Sequence, residues 1–164
     1  MSYLLDANVF MAAKNLHYGL DFCPAFWDWL VHKGNTGNVF SIDKVADEIA
    51  AGGDELSVWA ADRGSILFRR TPASLAEQFG QVSTWATSQT FTPAAINTFL
   101  QAADFYLVAH ALAGAHVLVT HETPATSSGR IKIPNACLGL NVRYITPYQM
   151  LRIEQARFVL GRPS

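Results

Sequence analysis

The chain has 164 residues, half of them hydrophobic, and a net charge of −1, which favours one globular domain and excludes a largely disordered chain. No apolar run approaches the roughly 20 residues that a membrane-spanning helix needs. The first residues lack the basic segment of a signal peptide, so we expect a single cytoplasmic domain that spans residues 1–164. Cys23 and Cys137 lie in apolar surroundings without the close spacing of zinc ligands, and we interpret them as small buried side chains.

Charge is unevenly distributed along the chain. Residues 1–122 contain six lysines and arginines against twelve acidic residues, whereas residues 123–164 contain six basic residues and the single acid Glu154. An acidic region followed by a basic one has the charges to hold metal ions and a polyanion side by side. A solvated basic surface without a partner explains the same pattern equally well.

Short apolar runs alternate with helix-length segments. The strand signals fall at residues 3–6, 39–42, 66–69, 117–120 and 142–145. The helical segments begin at Pro24 and Asp43 and then cover residues 55–62, 74–88, 93–114 with a break near Ala102, a short turn from Pro134, and 147–160. Residues 123–130 have the composition of a loop. This alternation predicts an α/β fold with three layers, α/β/α, around a mainly parallel sheet of four or five strands.

Four acidic residues stand on or directly after apolar elements. Asp6 and Glu122 each follow a strand, and the carboxyl ends of parallel strands meet at one edge of a sheet. Asp104 shares its helix face with leucine, valine and alanine side chains, where an unpaired carboxylate is strongly unfavourable. Glu48 lies in the first two turns of a helix, a position that the helix dipole alone explains. Because hard divalent cations take oxygen ligands, we predict one metal site built from distant parts of the chain.

The order and placement of these acids resemble the PIN-domain family of metal-dependent nucleases, which includes the toxin ribonucleases of VapC type. The resemblance covers nearly the whole chain and is carried by LLDANVF, VADEI, ADFYLVAHA and LVTHE. The stretches FWDWL and RIKIPNAC are similar to an uncharacterised PIN-like subgroup. The resemblance implies a PIN-like fold for the single domain.

The resemblance also implies that one or two Mg²⁺ or Mn²⁺ ions are bound by four catalytic carboxylates, those of Asp6, Glu48, Asp104 and Glu122. Asn8 and Thr120 would then orient the carboxylates or bound water. The family often has aspartate at the position of Glu122. The longer side chain here would reach its ion through water or serve a second ion.

The implied reaction is hydrolysis of an RNA phosphodiester, in which a metal-activated water attacks in line. Arg130 and Lys132, just after the fourth strand, are candidates for phosphate contact, and Lys14, after the first strand, is a third. A position in a solvent-facing loop explains Arg130 and Lys132 equally well. Because no element that reads bases is evident, the sequence does not indicate an RNA target.

Two alternatives stay open. A catalytically silent PIN-like module that binds RNA or protein would keep the same acids without cleaving. A phosphohydrolase of the haloacid dehalogenase type needs a second aspartate two residues after its nucleophile, where this chain has Asn8. Toxin-type PIN domains are usually neutralised by a small antitoxin and commonly form homodimers, so the resemblance implies both as partners besides RNA.

Overall fold

A five-stranded, all-parallel sheet forms the centre of the computed structural model, which describes residues 1–161. The sheet has the strand order β3–β2–β1–β4–β5. Its strands are β1 (Tyr3–Leu5), β2 (Val39–Ile42), β3 (Phe68–Arg69), β4 (Val117–Val119) and β5 (Tyr144–Ile145). Helices flank the sheet, and the predicted three-layer α/β/α fold is confirmed.

The helices connect the strands in the crossover pattern that parallel pairing requires. In chain order they are α1 (Ala7–Ala12), α2 (Pro24–Asn35), α3 (Asp43–Ala51), α4 (Glu55–Asp62), α5 (Gly64–Leu67), α6 (Ala76–Ser88), α7 (Pro93–Gln101), α8 (Ala103–Gly114), α9 (Ile133–Leu140) and α10 (Pro147–Ile153). A π-helical turn, Ala13–His17, extends α1, and a 3₁₀ turn, Ala73–Leu75, precedes α6.

The three central strands are buried along their whole length. Every residue of β1, β2 and β4 is buried, as expected for parallel strands that helices cover on both faces. Leu5 of β1 pairs with Val119 of β4, and the Asp6 N–H donates to the Val119 carbonyl oxygen over 3.0 Å. The residues that follow β1 and β4 therefore emerge next to each other at the carboxyl edge of the sheet.

Several helix boundaries follow from local sequence signals. Pro24, Pro93 and Pro147 each stand at the start of a helix, where the missing N–H costs nothing. The break near Ala102 is confirmed, because this residue is extended (φ −89°, ψ 161°) between α7 and α8. The loop predicted at residues 123–130 contains no helix or strand.

The helix directly after β1 was not predicted. The Asp6 carboxylate caps α1 by accepting a hydrogen bond of 2.7 Å from the Ala7 N–H. Val9, Phe10 and Ala13 turn into the core at helical spacing. We had interpreted Asp6 as a site residue alone, and the structure gives it a second role as a helix cap.

Three predicted elements are markedly shorter in the structure: β3, the last helix and β5, which covers only Tyr144–Ile145 of the predicted residues 142–145. Ile66 and Leu67 belong to α5, so β3 begins only at Phe68, where pairing with Ser41 of β2 begins. The last helix ends at Ile153 instead of running to residue 160. Gln155 adopts a left-handed conformation (φ 55°) that ends it.

Just after α10, Glu154 makes contacts with distant parts of the chain. Glu154 accepts a hydrogen bond of 3.0 Å from the Tyr3 hydroxyl and pairs with Lys33 at 3.5 Å. These partners are far away along the chain, so local helical periodicity gives no sign of them. Residues 162–164 of the predicted domain lie outside the described residues. Among residues 1–161, no helix combines the length and apolar character needed to cross a bilayer.

Candidate active site

Asp6 lies at the carboxyl edge of the sheet, in the position that the strand arrangement predicted. Its side chain is only 5% exposed. One carboxylate oxygen accepts the hydrogen bond from Ala7, and the other accepts one of 2.9 Å from the Thr120 hydroxyl. None of the ion pairs among residues 1–161 involves Asp6. Within the described part of the chain, its carboxylate is therefore met by hydrogen bonds and not by an ion pair.

Thr120 and Asn8 hold the start of the β4 loop against Asp6. The Thr120 hydroxyl accepts hydrogen bonds from the Asn8 amide (3.3 Å) and from the Glu122 N–H (3.1 Å). The Asn8 carbonyl oxygen accepts a third, of 3.2 Å, from the His121 N–H. The two residues predicted to support the site do lie between the strand ends and fix their relative position.

The four predicted carboxylates form one electrostatically coupled group. Burial, with the charges of Asp104 and Glu122, raises the pKa of Asp6 to about 8. Burial, with the charges of Glu122 and Glu48, raises the pKa of Asp104 to about 7. Glu48 is exposed at the rim, where partial burial also raises its pKa. The charges of Asp104, Glu122 and Glu48 thus act on neighbouring acids of the set, which places the four carboxylates in one region of the molecule.

Glu122 has an additional contact that the sequence did not indicate. Its Oε2 accepts a hydrogen bond of 3.1 Å from the N–H of Ile133, the first residue of α9. A carboxylate at a helix N-terminus is stabilised there by the unpaired N–H groups and the helix dipole. This contact accounts for the position of Glu122 without any metal ion.

The four acidic side chains offer the oxygen ligands that a hard divalent cation prefers. They are, however, not gathered around a single point. All four candidate ligands are carboxylates, the type that Mg²⁺ and Mn²⁺ prefer. Within residues 1–161, no three histidine, cysteine, aspartate or glutamate side chains are grouped closely enough to hold an ion. Electrostatic coupling acts over longer distances than coordination bonds, so the acids are coupled without being in coordination geometry. Side-chain rotation would have to bring them together around an ion.

A groove leads away from Asp104 along the last part of the β4–α9 loop. It has a volume of about 490 Å³ and is lined by Asp104, Arg130, Gly129 and small residues of α7 that include Thr98. The positive charge of Arg130 acts on Asp104 and lowers its pKa against the larger effects of burial and the neighbouring acids. Arg130 therefore lies within electrostatic reach of the carboxylates.

The other two predicted phosphate contacts are placed less favourably. Lys132 is half-buried and directly precedes α9. Lys14 forms an ion pair of 2.9 Å with Asp54 of the loop before α4, so its charge is already engaged. The structure brings Arg130 to the carboxylates and gives Lys14 a different partner.

Asn135 fixes the loop that carries these basic residues. Its side-chain oxygen accepts hydrogen bonds from the N–H groups of Ala125 (3.0 Å) and Lys132 (3.1 Å), and its amide donates to the Ala125 carbonyl (3.0 Å). Asn135 belongs to the RIKIPNAC stretch, and these three bonds are the physical reason for an asparagine there. The loop is thereby tied to the first turn of α9.

A cluster of three rings beside the carboxylates was not predicted. The His121 ring lies 5.5 Å from that of His17 and 5.6 Å from that of Tyr148, measured between ring centres. The Tyr148 hydroxyl and His17 Nε2 are hydrogen-bonded at 2.8 Å. His121 lies in a bend just after β4.

These features define an α/β/α domain with a carboxylate-rich site at the carboxyl edge of a parallel sheet. The chain belongs to the family described as Domain of unknown function (DUF4411), whose model matches residues 3–158. No curated protein and no solved structure matches the chain.

Proposed function

We propose that the protein is a metal-dependent ribonuclease that hydrolyses RNA phosphodiester bonds, as its resemblance to PIN domains implies. The observation that supports this most strongly is the coupling of the buried Asp6 to the half-buried Asp104, whose charge raises the pKa of Asp6 further, while no ion pair within residues 1–161 involves either acid. Such a pair is unfavourable for folding alone. A divalent cation would remove the cost, so a ligand role explains the arrangement better than a structural one.

Asp6, Asp104 and Glu48 would hold Mg²⁺ or Mn²⁺, with Glu122 reaching it directly or through water. When bound, such an ion activates a water molecule for attack on a phosphodiester and stabilises developing negative charge. Asp6 and Asp104 must lose their protons to act as ligands, and the cation would lower both pKa values. Thr120 and Asn8 would keep the Asp6 carboxylate in one orientation through their hydrogen bonds.

The substrate would be positioned by the basic loop after β4. Arg130 lines the groove that begins at Asp104, so its guanidinium can pair with a phosphate next to the carboxylates. Lys132 would contribute a second charge, while the ion pair of Lys14 with Asp54 makes Lys14 a weaker contact. We propose single-strand contacts to the backbone, without base reading.

We further propose, from the resemblance, that the enzyme acts in the cytoplasm as the toxin of a toxin–antitoxin pair. A small cognate antitoxin would then block the carboxylate site, and the toxin would form a homodimer. The reading frame next to its gene tests this directly, since a short DNA-binding protein encoded there would be the expected antitoxin.

The open arrangement of the acids favours a second candidate, a module that binds RNA or protein without cleaving. No three potential ligands among residues 1–161 are grouped around a single point, and Glu122 is satisfied by the N-terminus of α9. In that case the raised pKa values of Asp6 and Asp104 would keep Asp6 largely and Asp104 partly protonated at neutral pH, without any ion.

Incubation of the purified protein with a single-stranded RNA separates these candidates. We expect cleavage with Mg²⁺ or Mn²⁺ and none with a chelator. Asp104→Asn should reduce the rate by more than roughly 100-fold, because loss of a direct ligand costs more than loss of a supporting residue. Asp47→Asn removes one exposed charge from α3 and should cleave like the wild type. Binding without metal-dependent cleavage would favour the second candidate.

A further inference from the structure

A second pocket, separate from the candidate active site, is lined by basic side chains. We call it the basic pocket and define it by Arg69, Arg70, His110, His116, Phe40 and Gly114, which line a volume of about 260 Å³. It lies over β2 and the β3 edge, against the C-terminal half of α8. No acidic side chain lines it, and none of the candidate active-site residues does.

The two arginines present positive charge that no acid of the described chain neutralises. The Arg69 guanidinium packs 3.6 Å from the centre of the Phe40 ring and donates to the Gly37 carbonyl over 3.3 Å. Both partners are neutral, so Arg69 is held in place with its charge intact. Arg70 is exposed and takes part in none of the ion pairs found within residues 1–161.

The nearest acid, Asp43, is already engaged by other groups. Its Oδ1 accepts hydrogen bonds from the Lys44 N–H (2.9 Å) and the Thr71 hydroxyl (3.0 Å), and its Oδ2 accepts one from the Thr71 N–H (3.3 Å). Asp43 therefore ties the start of α3 to the segment after β3. Asp43 does not line the pocket, and its charge acts there on His110, whose pKa it raises.

Both histidines are held with their rings against the pocket. His110 is 8% exposed and lies 3.3 Å from the Thr71 hydroxyl, while His116 Nδ1 is 2.6 Å from the Ser2 hydroxyl. Gly114 leaves room for the His116 ring, since a Cβ at this position would overlap it. Burial lowers the pKa of each ring, and the charge of Arg69 lowers both further.

We propose that the basic pocket binds a phosphate group, either inorganic phosphate or the terminal phosphate of a nucleotide. Arginine forks match phosphate oxygens in a bidentate geometry, and Arg69 is already positioned by Phe40 and Gly37. The volume is below the roughly 300–1,000 Å³ of pockets for drug-sized molecules, so a small charged group fits it better than a continuous strand. This proposal is independent of the ribonuclease activity and of the carboxylate site.

The test is a titration with inorganic phosphate at constant ionic strength, followed by the NMR signals of the histidine side chains. We expect saturable shifts of His110 and His116, and only the small shifts of a chloride control for His17 and His121. Arg70→Gln should weaken binding about tenfold, the equivalent of one hydrogen bond to a charged group. Arg152→Gln removes an exposed charge from α10, which follows the opposite edge strand, and should leave the affinity unchanged.

The same titration with uridine 5′-monophosphate and with uridine distinguishes the two sources of phosphate. Tighter binding of the monophosphate than of inorganic phosphate would support a nucleotide terminus, and the reverse order would support free phosphate. Absence of saturation, an unchanged affinity in Arg70→Gln, or equal shifts with uridine would overturn the proposal. Because Arg70 is exposed, the variant should keep the wild-type melting temperature, which is checked in parallel.

Discussion

Asp6 shows how closely folding and the candidate site are linked at the level of single residues. The Asp6 carboxylate caps α1 and also accepts a hydrogen bond from the Thr120 hydroxyl, although Asp6 is almost inaccessible to water. The Thr120 hydroxyl in turn accepts hydrogen bonds from the Asn8 side-chain amide and from the Glu122 N–H. One threonine thus connects the ends of two neighbouring strands through three hydrogen bonds.

We predict that Thr120→Val destabilises the protein by about 1–3 kcal/mol, the usual cost of leaving buried polar groups unpaired. The substitution conserves shape but removes the donor to Asp6 and the acceptor for the Glu122 N–H. Equilibrium denaturation in urea measures the change. Thr120→Ser keeps the hydroxyl and is the matched control. A valine variant within about 0.5 kcal/mol of the wild type would show that these hydrogen bonds are not needed.

At the scale of elements, the helix boundaries that are set by neighbouring residues could be predicted from the sequence. Features that are set by contacts between residues far apart along the chain could not. Proline at three helix starts and the extended break at Ala102 are local signals. The contacts of Glu154 with Tyr3 and Lys33, just after α10, join residues far apart along the chain, and no local pattern reveals them. The short β3 follows from the limited length over which it pairs with β2.

The same distinction applies to the candidate site. The proximity of Asp6 and Glu122 was predictable, because both follow strands of one parallel sheet. The hydrogen bond from Ile133 to Glu122 depends on how the intervening loop folds back, and the pairing of Lys14 with Asp54 joins residues 40 positions apart. The ring cluster of His17, His121 and Tyr148 is likewise a product of tertiary structure.

The loop between β4 and α9 gives a prediction at this scale. Replacing both Arg130 and Lys132 with alanine should weaken binding of single-stranded RNA of any sequence, because phosphate contacts carry no sequence information. The slope of log affinity against log salt should flatten by about 0.7 per lost contact. Fluorescence anisotropy over a range of salt concentrations measures both quantities.

Arg143→Ala is the control for this loss of charge, since Arg143 is exposed just before β5, at the amino edge of the sheet. It should leave the slope unchanged. If the double variant also kept the wild-type slope, Arg130 and Lys132 would be ordinary loop charges, and the carboxylates alone would support the function.

For the whole molecule, the buried acids predict how stability varies with pH. The pKa values of Asp6 and Asp104 are raised to about 8 and about 7, so the folded state holds protons that the unfolded state has released. Metal-free protein should therefore lose stability as the pH rises from about 4 to about 8. The lowered pKa values of His110, His116 and His121 act in the opposite sense below pH 6.5, which leaves pH 6.5–8 as the clearest window.

Thermal unfolding in a chelating buffer measures this dependence. Asp104→Asn should be more stable than the wild type at pH 8, by an amount on the order of a few kcal/mol, and the difference should shrink towards pH 6.5. A wild-type protein that became more stable between pH 6.5 and pH 8 would contradict the raised pKa values of Asp6 and Asp104.

The most direct test of the central claim, that the four acids bind a divalent cation, is calorimetric titration of the metal-free protein with Mn²⁺. We expect saturable binding by the wild type and by the control Asp47→Asn, accompanied by proton release that shows as a dependence of the heat on the buffer. Asp6→Asn and Asp104→Asn should each abolish binding while remaining folded. Wild-type affinity in both variants, or no binding by the wild type, would contradict the metal site.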